Sequence, residues 1–306
     1  MDQEKQSAIV SGMRWVSTWA RQRKTHTMLI IVGCMLLLTL ATLGYDGVRV
    51  LRDRGKLVVY SLDVGQGDAL FVRFPNATTM LIDSGPDGSV VEQLGSVLPF
   101  WERHIDTIVL THPQADHVGG LPSVFERYSI GRVVMTGVLH TTPEYLELLQ
   151  QIRDTRTPTT IVDHPFVETV GSVRLEYLWP RTSIAKRSVP ELNNTSIILR
   201  MVYGDTSFLF TGDAESVVED ALFASRQKLE ATVLKIGHHG SDTSTSQAFL
   251  DAVHPEFAMI SVGRKNKFGH PSRRILRRLA RAGVEVHRTD KEGRIRFVSD
   301  GTRVTQ

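Results

Sequence analysis

The chain begins with one long apolar stretch and continues as short apolar runs that alternate with helical patterns. Between Lys24 and Asp46 lie 21 residues without a formal charge, and Met28–Leu43 is almost wholly apolar. Such a run is close to the minimum of about 17 residues that cross a ~30 Å hydrocarbon core, and it lacks the polar face of a helix in a soluble domain. We therefore predict a transmembrane anchor over residues 28–44, preceded by a basic tail over residues 1–27.

Two other interpretations of the apolar stretch are open, a secretory signal and a lipoprotein signal. The charged leader is long for a secretory signal, and no convincing small-x-small cleavage site follows. Val32-Gly33-Cys34 faintly resembles a lipoprotein processing site, but most of the apolar run follows the cysteine instead of preceding it. Basic residues flank the run on both sides, so the positive-inside rule is nearly balanced. We expect a single-pass membrane protein whose main domain is extracytoplasmic.

After a linker over residues 45–56, the pattern predicts one mixed α/β domain over residues 57–306. Apolar runs rich in Val, Ile and Phe are typical of strands, and their alternation with helical windows favours sheets covered by helices. The predicted strands are Leu57–Leu62, Ala69–Phe74, Thr79–Ile82, Thr107–Leu110, Arg132–Met135, Val173–Leu178, Ser196–Val202, Ser207–Phe210, Thr232–Ile236, Phe257–Ser261 and Arg294–Val298. The predicted helices are Ser89–Leu98, Leu121–Tyr128, Pro143–Arg153, Glu215–Ala224, Ser246–Ala252 and Ser272–Ala282. Pro180 and Pro190 support a long polar loop over Arg181–Leu192.

Four predicted strands end in histidine or aspartate. Thr107–Leu110 leads into Thr111-His112-Pro113-Gln114-Ala115-Asp116-His117-Val118-Gly119-Gly120, whose paired glycines permit a tight turn into a helix. Other strands end at Asp83, at Asp213 and at the His238-His239 pair. Imidazole and carboxylate suit Zn²⁺, Mn²⁺ or Fe, and burying carboxylates together is costly unless a cation neutralises them. Together these strand ends predict a metal site, although the first turn alone is also compatible with a polar loop.

These strand ends, LIDSG, THPQADHVGG, FTGD and GHHGS, resemble the metallo-β-lactamase superfamily, whose signature is H-x-H-x-D-H. More narrowly, LDVGQGDA at Leu62–Ala69, NNTS at Asn193–Ser196, KIGHHGSDTSTS and NKFGHPS resemble the soluble domain of DNA-internalisation competence proteins of the ComEC type. The resemblance implies an α/β fold, a four-layered αββα sandwich, with one or two divalent ions, Zn²⁺ or Mn²⁺, at one edge. Members of the competence family carry many membrane helices and a channel domain, whereas this chain has room for one span. DNA transport is therefore not implied.

The resemblance also implies a ligand set. Asp116, His117 and one of the two histidines 238 and 239 bind one ion, while Asp213 bridges towards a second ion held by His112. Gln114 and Asn194 stand where the family has histidines, and neutral amide oxygens are weaker donors than imidazole. One site therefore looks intact and the other depleted, which favours a single ion or a hard second ion such as Mn²⁺. The candidate metal ligands are His112, Gln114, Asp116, His117, Asn194, Asp213, His238 and His239.

The chemical hypothesis is metal-assisted hydrolysis. Asp116 binds the metal or orients the nucleophile, while His270, or the histidine of the 238–239 pair that holds no metal, protonates the leaving group. Lys235, Asn266 and Ser241 are candidate phosphate or substrate contacts. The candidate catalytic residues are Asp116, His270, His238 and Lys235, and Asp63, Asp68 and Asp83 are expected to be structural residues near the site.

The uneven charge distribution bears on the substrate. The net charge is +3, but residues 264–296 hold 12 Lys/Arg and 3 Asp/Glu, which gives 12 − 3 = +9 there and 3 − 9 = −6 elsewhere. The arginines of the predicted helix Ser272–Ala282 could follow a phosphate backbone, meet anionic lipid or form a solvated face. The candidate substrate-binding residues are Ser241, Asn266, Arg273, Arg274 and Arg277.

We therefore expect a phosphodiesterase, and most specifically a nuclease that acts on DNA at the membrane. One alternative is a hydrolase of small esters, lactones or β-lactams on the same fold. Another is a metal-poor DNA-binding module of an uptake assembly, which Gln114 and Asn194 favour. Salt dependence separates the nuclease from the esterase, and metal content separates either enzyme from the binding module.

Overall fold

The computed structural model describes residues 2–306, except for the side chains of residues 2–5, 8–12, 14, 16–26, 29, 30 and 49. The chain forms two compact units, Met1–Arg52 and Asp53–Gln306. The helices are α1 (Asp2–Asp53), α2 (Ser89–Val97), α3 (Ala115–Val118), α4 (Leu121–Arg127), α5 (Pro143–Thr155), α6 (Ser216–Ala224), α7 (Gln247–Val253), α8 (Arg273–Arg281) and α9 (Thr289–Glu292). The strands are β1 (Leu57–Ser61), β2 (Leu70–Arg73), β3 (Thr79–Ile82), β4 (His104–Val109), β5 (Ser129–Met135), β6 (Thr159–Ile161), β7 (Phe166–Val170), β8 (Val173–Trp179), β9 (Ile198–Tyr203), β10 (Thr206–Phe210), β11 (Val233–Lys235), β12 (Phe257–Ile260), β13 (Glu285–Arg288), β14 (Ile295–Ser299) and β15 (Val304–Thr305).

The N-terminal unit is formed by helix α1. Among the described residues, Ile31–Asp53 is the segment long and apolar enough, by length and composition, to cross a membrane. Its side chains include exposed leucines such as Leu37 and Leu38, and a large exposed apolar surface marks an interaction site. The predicted linker over residues 45–56 is helical as far as Asp53.

The second unit contains two mixed β-sheets. Their strand orders are β15-β14-β1-β2-β3-β4-β5-β6 and β13-β12-β11-β10-β9-β8-β7. Strands β3 to β6 are parallel in the first sheet, and β10 to β13 are parallel in the second. Because the carboxyl ends of neighbouring parallel strands share one edge of a sheet, residues that follow these strands can converge there.

Three hydrophobic cores arrange the sheets and helices in layers. Val72 of the first sheet and Phe208 of the second belong to the core between the sheets. Helices α2, α4 and α5 pack on the outer face of the first sheet, where Leu148 and Ile108 share a core. Helices α6, α7 and α8 cover the second sheet, where Leu250 is buried. The result is the αββα sandwich that the sequence predicts.

The sequence does not predict four of the strands in the described part of the chain, and these four are the edge strands of the two sheets. They are β6, β7, β13 and β15. Exposed and partly buried positions alternate in β6 and β7, and β13 and β15 also include exposed residues, so no continuous apolar run marks these strands. Strands β4 and β5 also begin three residues before their predicted starts, because His104 pairs with Ser129 through the backbone irrespective of polarity.

Close packing of backbone explains the paired glycines after His117. A Cβ atom at Gly119 would lie 2.1 Å from the Pro86 carbonyl oxygen, and one at Gly120 would lie 2.5 Å from the Asp87 carbonyl oxygen. Neither glycine has a positive φ, since the values are −58° and −86°. The predicted turn into a helix is present at these two residues, which lead directly into α4, but it does not depend on positive φ. The glycines instead let the start of α4 approach the turn at residues 84–87.

Candidate metal centre

Two histidines and two aspartates converge where the sheet edges meet. Asp116, His117, Asp213 and His239 each offer one ligand atom, and these atoms all lie within 4.8 Å of one another. The Asp213 Oδ2 atom is 3.3 Å from His117 Nε2 and 3.3 Å from His239 Nε2. The Asp116 Oδ2 atom is 3.3 Å from His239 Nε2. Nitrogen and carboxylate oxygen in this number match the donor set of Zn²⁺ and related ions.

Unsatisfied polar atoms indicate that this group fits a cation. His117 Nε2 and both carboxylate oxygens of Asp213 are buried and lack a hydrogen-bond partner among the described residues. Buried polar atoms are normally satisfied, because leaving one unpaired costs about 1–3 kcal/mol. His117 and Asp213 face each other without hydrogen-bond geometry, as expected of two groups that point at a shared ion.

Each of the two inward-facing histidines is oriented through its other ring nitrogen. His117 Nδ1 is 2.8 Å from Asp83 Oδ2, and Asp83 in turn accepts hydrogen bonds from the backbone N–H and the hydroxyl of Thr111. His239 Nδ1 donates to the Ser261 carbonyl oxygen at 2.9 Å. Such contacts fix the tautomer that presents the Nε2 lone pair to a metal. Asp83 therefore lies next to the centre, as expected.

The carboxylates and imidazoles of this group shift one another's pKa values. Burial raises the pKa of Asp213, but His239 and His117 outweigh burial and hold the pKa well below its usual value. Burial lowers the pKa of His117 and His239, but the surrounding carboxylates, with Asp213 foremost, raise both pKa values well above the usual value. Without a metal, protons therefore neutralise the carboxylates, and a divalent ion would replace them.

His112 and the two amides lie outside the group of four. Burial and the nearby His117 lower the pKa of His112 to about 3, so its imidazole is neutral. His112 Nε2 is 3.2 Å from Gln114 Oε1. The Asn194 Oδ1 atom accepts a hydrogen bond from the Glu215 backbone N–H at 3.1 Å. Of the residues predicted for the second ion, His112 and Gln114 are thus adjacent, whereas the Asn194 oxygen is engaged elsewhere.

His238 lies at the margin of the centre, with its Nε2 atom 3.8 Å from Asp213 Oδ2. Its Nδ1 lies 3.5 Å from Glu215 Oε1 and 3.3 Å from Thr243 Oγ1, and its ring centroid is 5.8 Å from that of His270. His238 and His239 have φ values of 48° and 53°, and such left-handed backbone often occurs at functional sites. Sequence reasoning missed Glu215 and Thr243, although Thr243 lies within the KIGHHGSDTSTS motif.

The remaining predicted residues divide into buried and exposed ones. Lys235 is fully buried and Ser241 is nearly so, while Asn266 uses its side chain to bind the Gly263 and His270 backbone within its own loop. Asp63 is half-buried. Among the described residues it belongs neither to the group of four nor to a second group of potential ligands, which consists of Asp68, Asp83 and His117. Three predicted substrate contacts are exposed on α8, namely Arg273, Arg274 and Arg277.

The arrangement of these residues matches a known family. The model of the metallo-beta-lactamase superfamily matches residues 62–264. This chain belongs to the metallo-β-lactamase superfamily. Its fold and its candidate metal centre are those of a superfamily hydrolase similar to competence proteins.

Curated relatives include ComE operon protein 3 of Bacillus subtilis and Competence protein ComA of Neisseria gonorrhoeae. The first is 30% identical over 253 residues, which cover 77% of this chain and 32% of the relative. The second is 32% identical over 240 residues, which cover 77% of this chain and 31% of the relative. The chain thus spans about a third of the length of the curated relatives it matches.

A solved structure with a similar fold is CmlA, a diiron β-hydroxylase from Streptomyces venezuelae. The two superpose with a TM-score of 0.51 at 18% identity, covering 79% of this chain and 54% of CmlA. This likeness concerns the fold alone.

Proposed function

We propose that this chain is a metal-dependent phosphodiesterase that cleaves DNA at the membrane. The observation that carries the proposal is an exposed basic surface beside the candidate metal centre. Besides the three arginines of α8, its exposed members are Arg264, Lys265, Lys267 and Arg281.

Contacts of the segment before α8 support a position of this basic surface near the centre. The Ser272 backbone N–H donates to the Gly240 carbonyl oxygen at 2.9 Å, and Gly240 directly follows His239. The Ser272 hydroxyl also donates to Asp242. A polyanion lying along α8 would therefore pass the mouth of the site, and Lys/Arg contacts to phosphates supply most sequence-independent affinity for DNA.

The residues that would hold the ion are Asp116, His117, Asp213 and His239. A divalent ion bound there would acidify water and polarise a phosphoryl oxygen. Asp83 keeps His117 in the tautomer that binds the ion.

Proton transfer to the leaving oxygen falls to the histidines at the margin of the group of four. The Nδ1 atom of His238 lies 3.5 Å from Glu215 Oε1, a contact that orients the ring as carboxylates orient the histidines of other hydrolases. Burial lowers the pKa of His270, so its neutral ring is suited to orienting the substrate. We therefore assign the proton donor to His238 and a positioning role to His270.

An exposed aromatic side chain adds a contact for a nucleobase. Phe268 is 65% exposed, and its ring lies nearly parallel to that of His270, with centroids 5.8 Å apart. Base–aromatic stacking is worth about 1–3 kcal/mol per base in proteins that bind single strands. This feature and the basic surface favour a nucleic acid over a small neutral ester.

The names of the competence relatives agree with a DNA substrate, and the apolar segment of α1 agrees with a membrane anchor.

The test is cleavage of single- and double-stranded DNA by the full chain in detergent, with Mn²⁺, Zn²⁺, Mg²⁺ or EDTA. Wild type is expected to cleave with metal and not with EDTA, and Asp116→Ala and Asp213→Ala to lose activity. Asp63→Ala is the matched control and should retain it. A folded, metal-loaded protein without nuclease activity would refute the proposal, and cleavage of esters or lactones would then identify the alternative enzyme. A folded chain that binds DNA but no metal would be the binding module.

A further inference from the structure

Lys235, at the end of β11, is a cation enclosed by the candidate metal centre. Its side chain is fully buried, and its ammonium group pairs with Asp68 Oδ2. The Nζ atom also donates to the Gly212 carbonyl oxygen at 3.0 Å and lies 3.7 Å from Asp213 Oδ1. A lysine in this position cannot reach a phosphate in solvent, so the predicted substrate contact does not fit its surroundings.

The charge of Lys235 is stabilised by its neighbours. Burial disfavours an ammonium group, and the carboxylates of Asp68 and Asp213 lie beside the Lys235 Nζ atom and compensate its charge. Removing one partner of a buried ion pair leaves the other charge uncompensated. The loss of either Lys235 or Asp68 would therefore leave the other as an unpaired buried charge.

The two oxygens of Asp213 face different cations. Oδ2 lies towards His117 and His239, at 3.3 Å from each Nε2, whereas Oδ1 lies towards Lys235. A carboxylate can bridge two metal ions with one oxygen directed to each ion. Here one of the two oxygens faces a cation of the protein itself.

The second group of potential ligands is partly neutralised in a similar way, although Asp68 Oδ1 has no hydrogen-bond partner among the described residues. The group consists of Asp68, Asp83 and His117. Asp83 is bound to His117 Nδ1 at 2.8 Å, and Asp68 is paired with Lys235. These contacts supply positive charge where an additional ion would otherwise be needed.

We propose that the ammonium group of Lys235 replaces a second metal ion. It neutralises Asp68 and the Oδ1 atom of Asp213, and thereby limits the centre to one divalent ion. Lys235 is a positioning residue, since it acts through these carboxylates. The inference rests on the proposed metal site and is independent of nuclease activity.

The experiment counts zinc ions on the full chain in detergent, by titration with Zn²⁺ and by elemental analysis, alongside the Tm of the metal-free protein. Wild type should bind one ion. Lys235→Met should bind two, because Asp68 and Asp213 lose their cation, and its metal-free Tm should fall by roughly 10 °C. The double variant Asp68→Asn/Lys235→Met removes both charges, so it should bind one ion and recover most of the lost Tm.

Two ions on wild type, or one ion on Lys235→Met with wild-type affinity, would overturn the inference. A double variant as unstable as Lys235→Met would overturn it as well. If Lys235→Met alone fails to fold while the double variant folds and binds one ion, the charge linkage is supported. Failure of both variants to fold contradicts it. The experiment does not measure DNA cleavage, so its result would stand even if the protein is not a nuclease.

Discussion

At the residue scale, the role of each histidine depends on what its second nitrogen contacts. His117 and His239 have Nδ1 held by Asp83 and by the Ser261 carbonyl oxygen, so Nε2 points into the centre. His238, one residue away, has Nδ1 beside Glu215 and Nε2 3.8 Å from Asp213 Oδ2, and it lies outside the group of four. The sequence offers the pair as equivalent ligands. Their φ values are similar, 48° and 53°, so the contacts of each ring distinguish them.

Asp83→Asn tests this orientation of His117. The variant keeps the side-chain shape and removes the charge that faces Nδ1. We expect the affinity for Zn²⁺ to fall by roughly 10–100-fold, measured by titration against a competing chelator. Asp63→Asn is the matched control, because Asp63 is half-buried and outside the centre. Unchanged affinity in Asp83→Asn, or equal losses in both variants, would contradict the assignment.

Protons and metal should compete for the same histidines. The pKa values of His117 and His239 are raised well above the usual value in the metal-free protein, so both rings are protonated near neutral pH. An entering ion must displace these protons. The apparent zinc affinity should therefore rise with pH, until the pH exceeds those pKa values. Calorimetric titrations in buffers of different ionisation enthalpy would reveal the release, and an affinity that is constant across pH would refute it.

At the element scale, the sequence predicts the interior of the fold better than its margins. Strands buried on both faces, such as β1 (Leu57–Ser61), form continuous apolar runs that are visible in the sequence. Edge strands such as β6 are paired by backbone hydrogen bonds, which leave little trace in side-chain polarity. The strand ends that carry Asp83, Asp116, His117 and Asp213 were predictable for the same reason: each follows an apolar run. The enclosure of Lys235 was not, because it depends on the packing of the loop that carries Asp68.

The packing of α4 against the turn at residues 84–87 predicts opposite effects for two glycine substitutions. Gly119→Ala places a methyl group against the Pro86 carbonyl oxygen and should lower the free energy of unfolding by about 1–3 kcal/mol. Gly95→Ala lies inside α2, where nothing is within 4 Å of a new Cβ, and should raise it by up to about 1 kcal/mol. Denaturant unfolding of both variants provides the measurement. A destabilised Gly95→Ala or a neutral Gly119→Ala would contradict the packing.

At the scale of the whole molecule, basic residues concentrate on one surface. Arg278 of α8 turns inward and donates to the Thr245 carbonyl oxygen, whereas its neighbours Arg274 and Arg277 are exposed. The helix therefore separates a structural arginine from those available to a ligand. This division supports the use of the exposed arginines for DNA.

The variant Arg273→Ala/Arg274→Ala/Arg277→Ala should weaken DNA binding and reduce the slope of log affinity against log salt by up to about 3. Arg127→Ala/Arg153→Ala/Arg156→Ala is the matched control, because it removes three exposed arginines that lie on or beside α4 and α5. Fluorescence anisotropy with a labelled oligonucleotide at several salt concentrations would measure both. Equal losses in the two variants would indicate a general charge effect and contradict a defined DNA surface.

Because of the layered architecture, a bound ion would also have a structural role between the two sheets. Asp116 and His117 follow a strand of the first sheet, whereas Asp213 and His239 follow strands of the second, so each sheet supplies one carboxylate and one imidazole. Neither sheet alone can complete the set. The bound ion would connect the two sheets of the sandwich, and its binding free energy would stabilise the packing of the core between them. Removal of the metal should therefore increase the rate of hydrogen exchange where the two sheets meet, including at residues distant from the candidate metal centre.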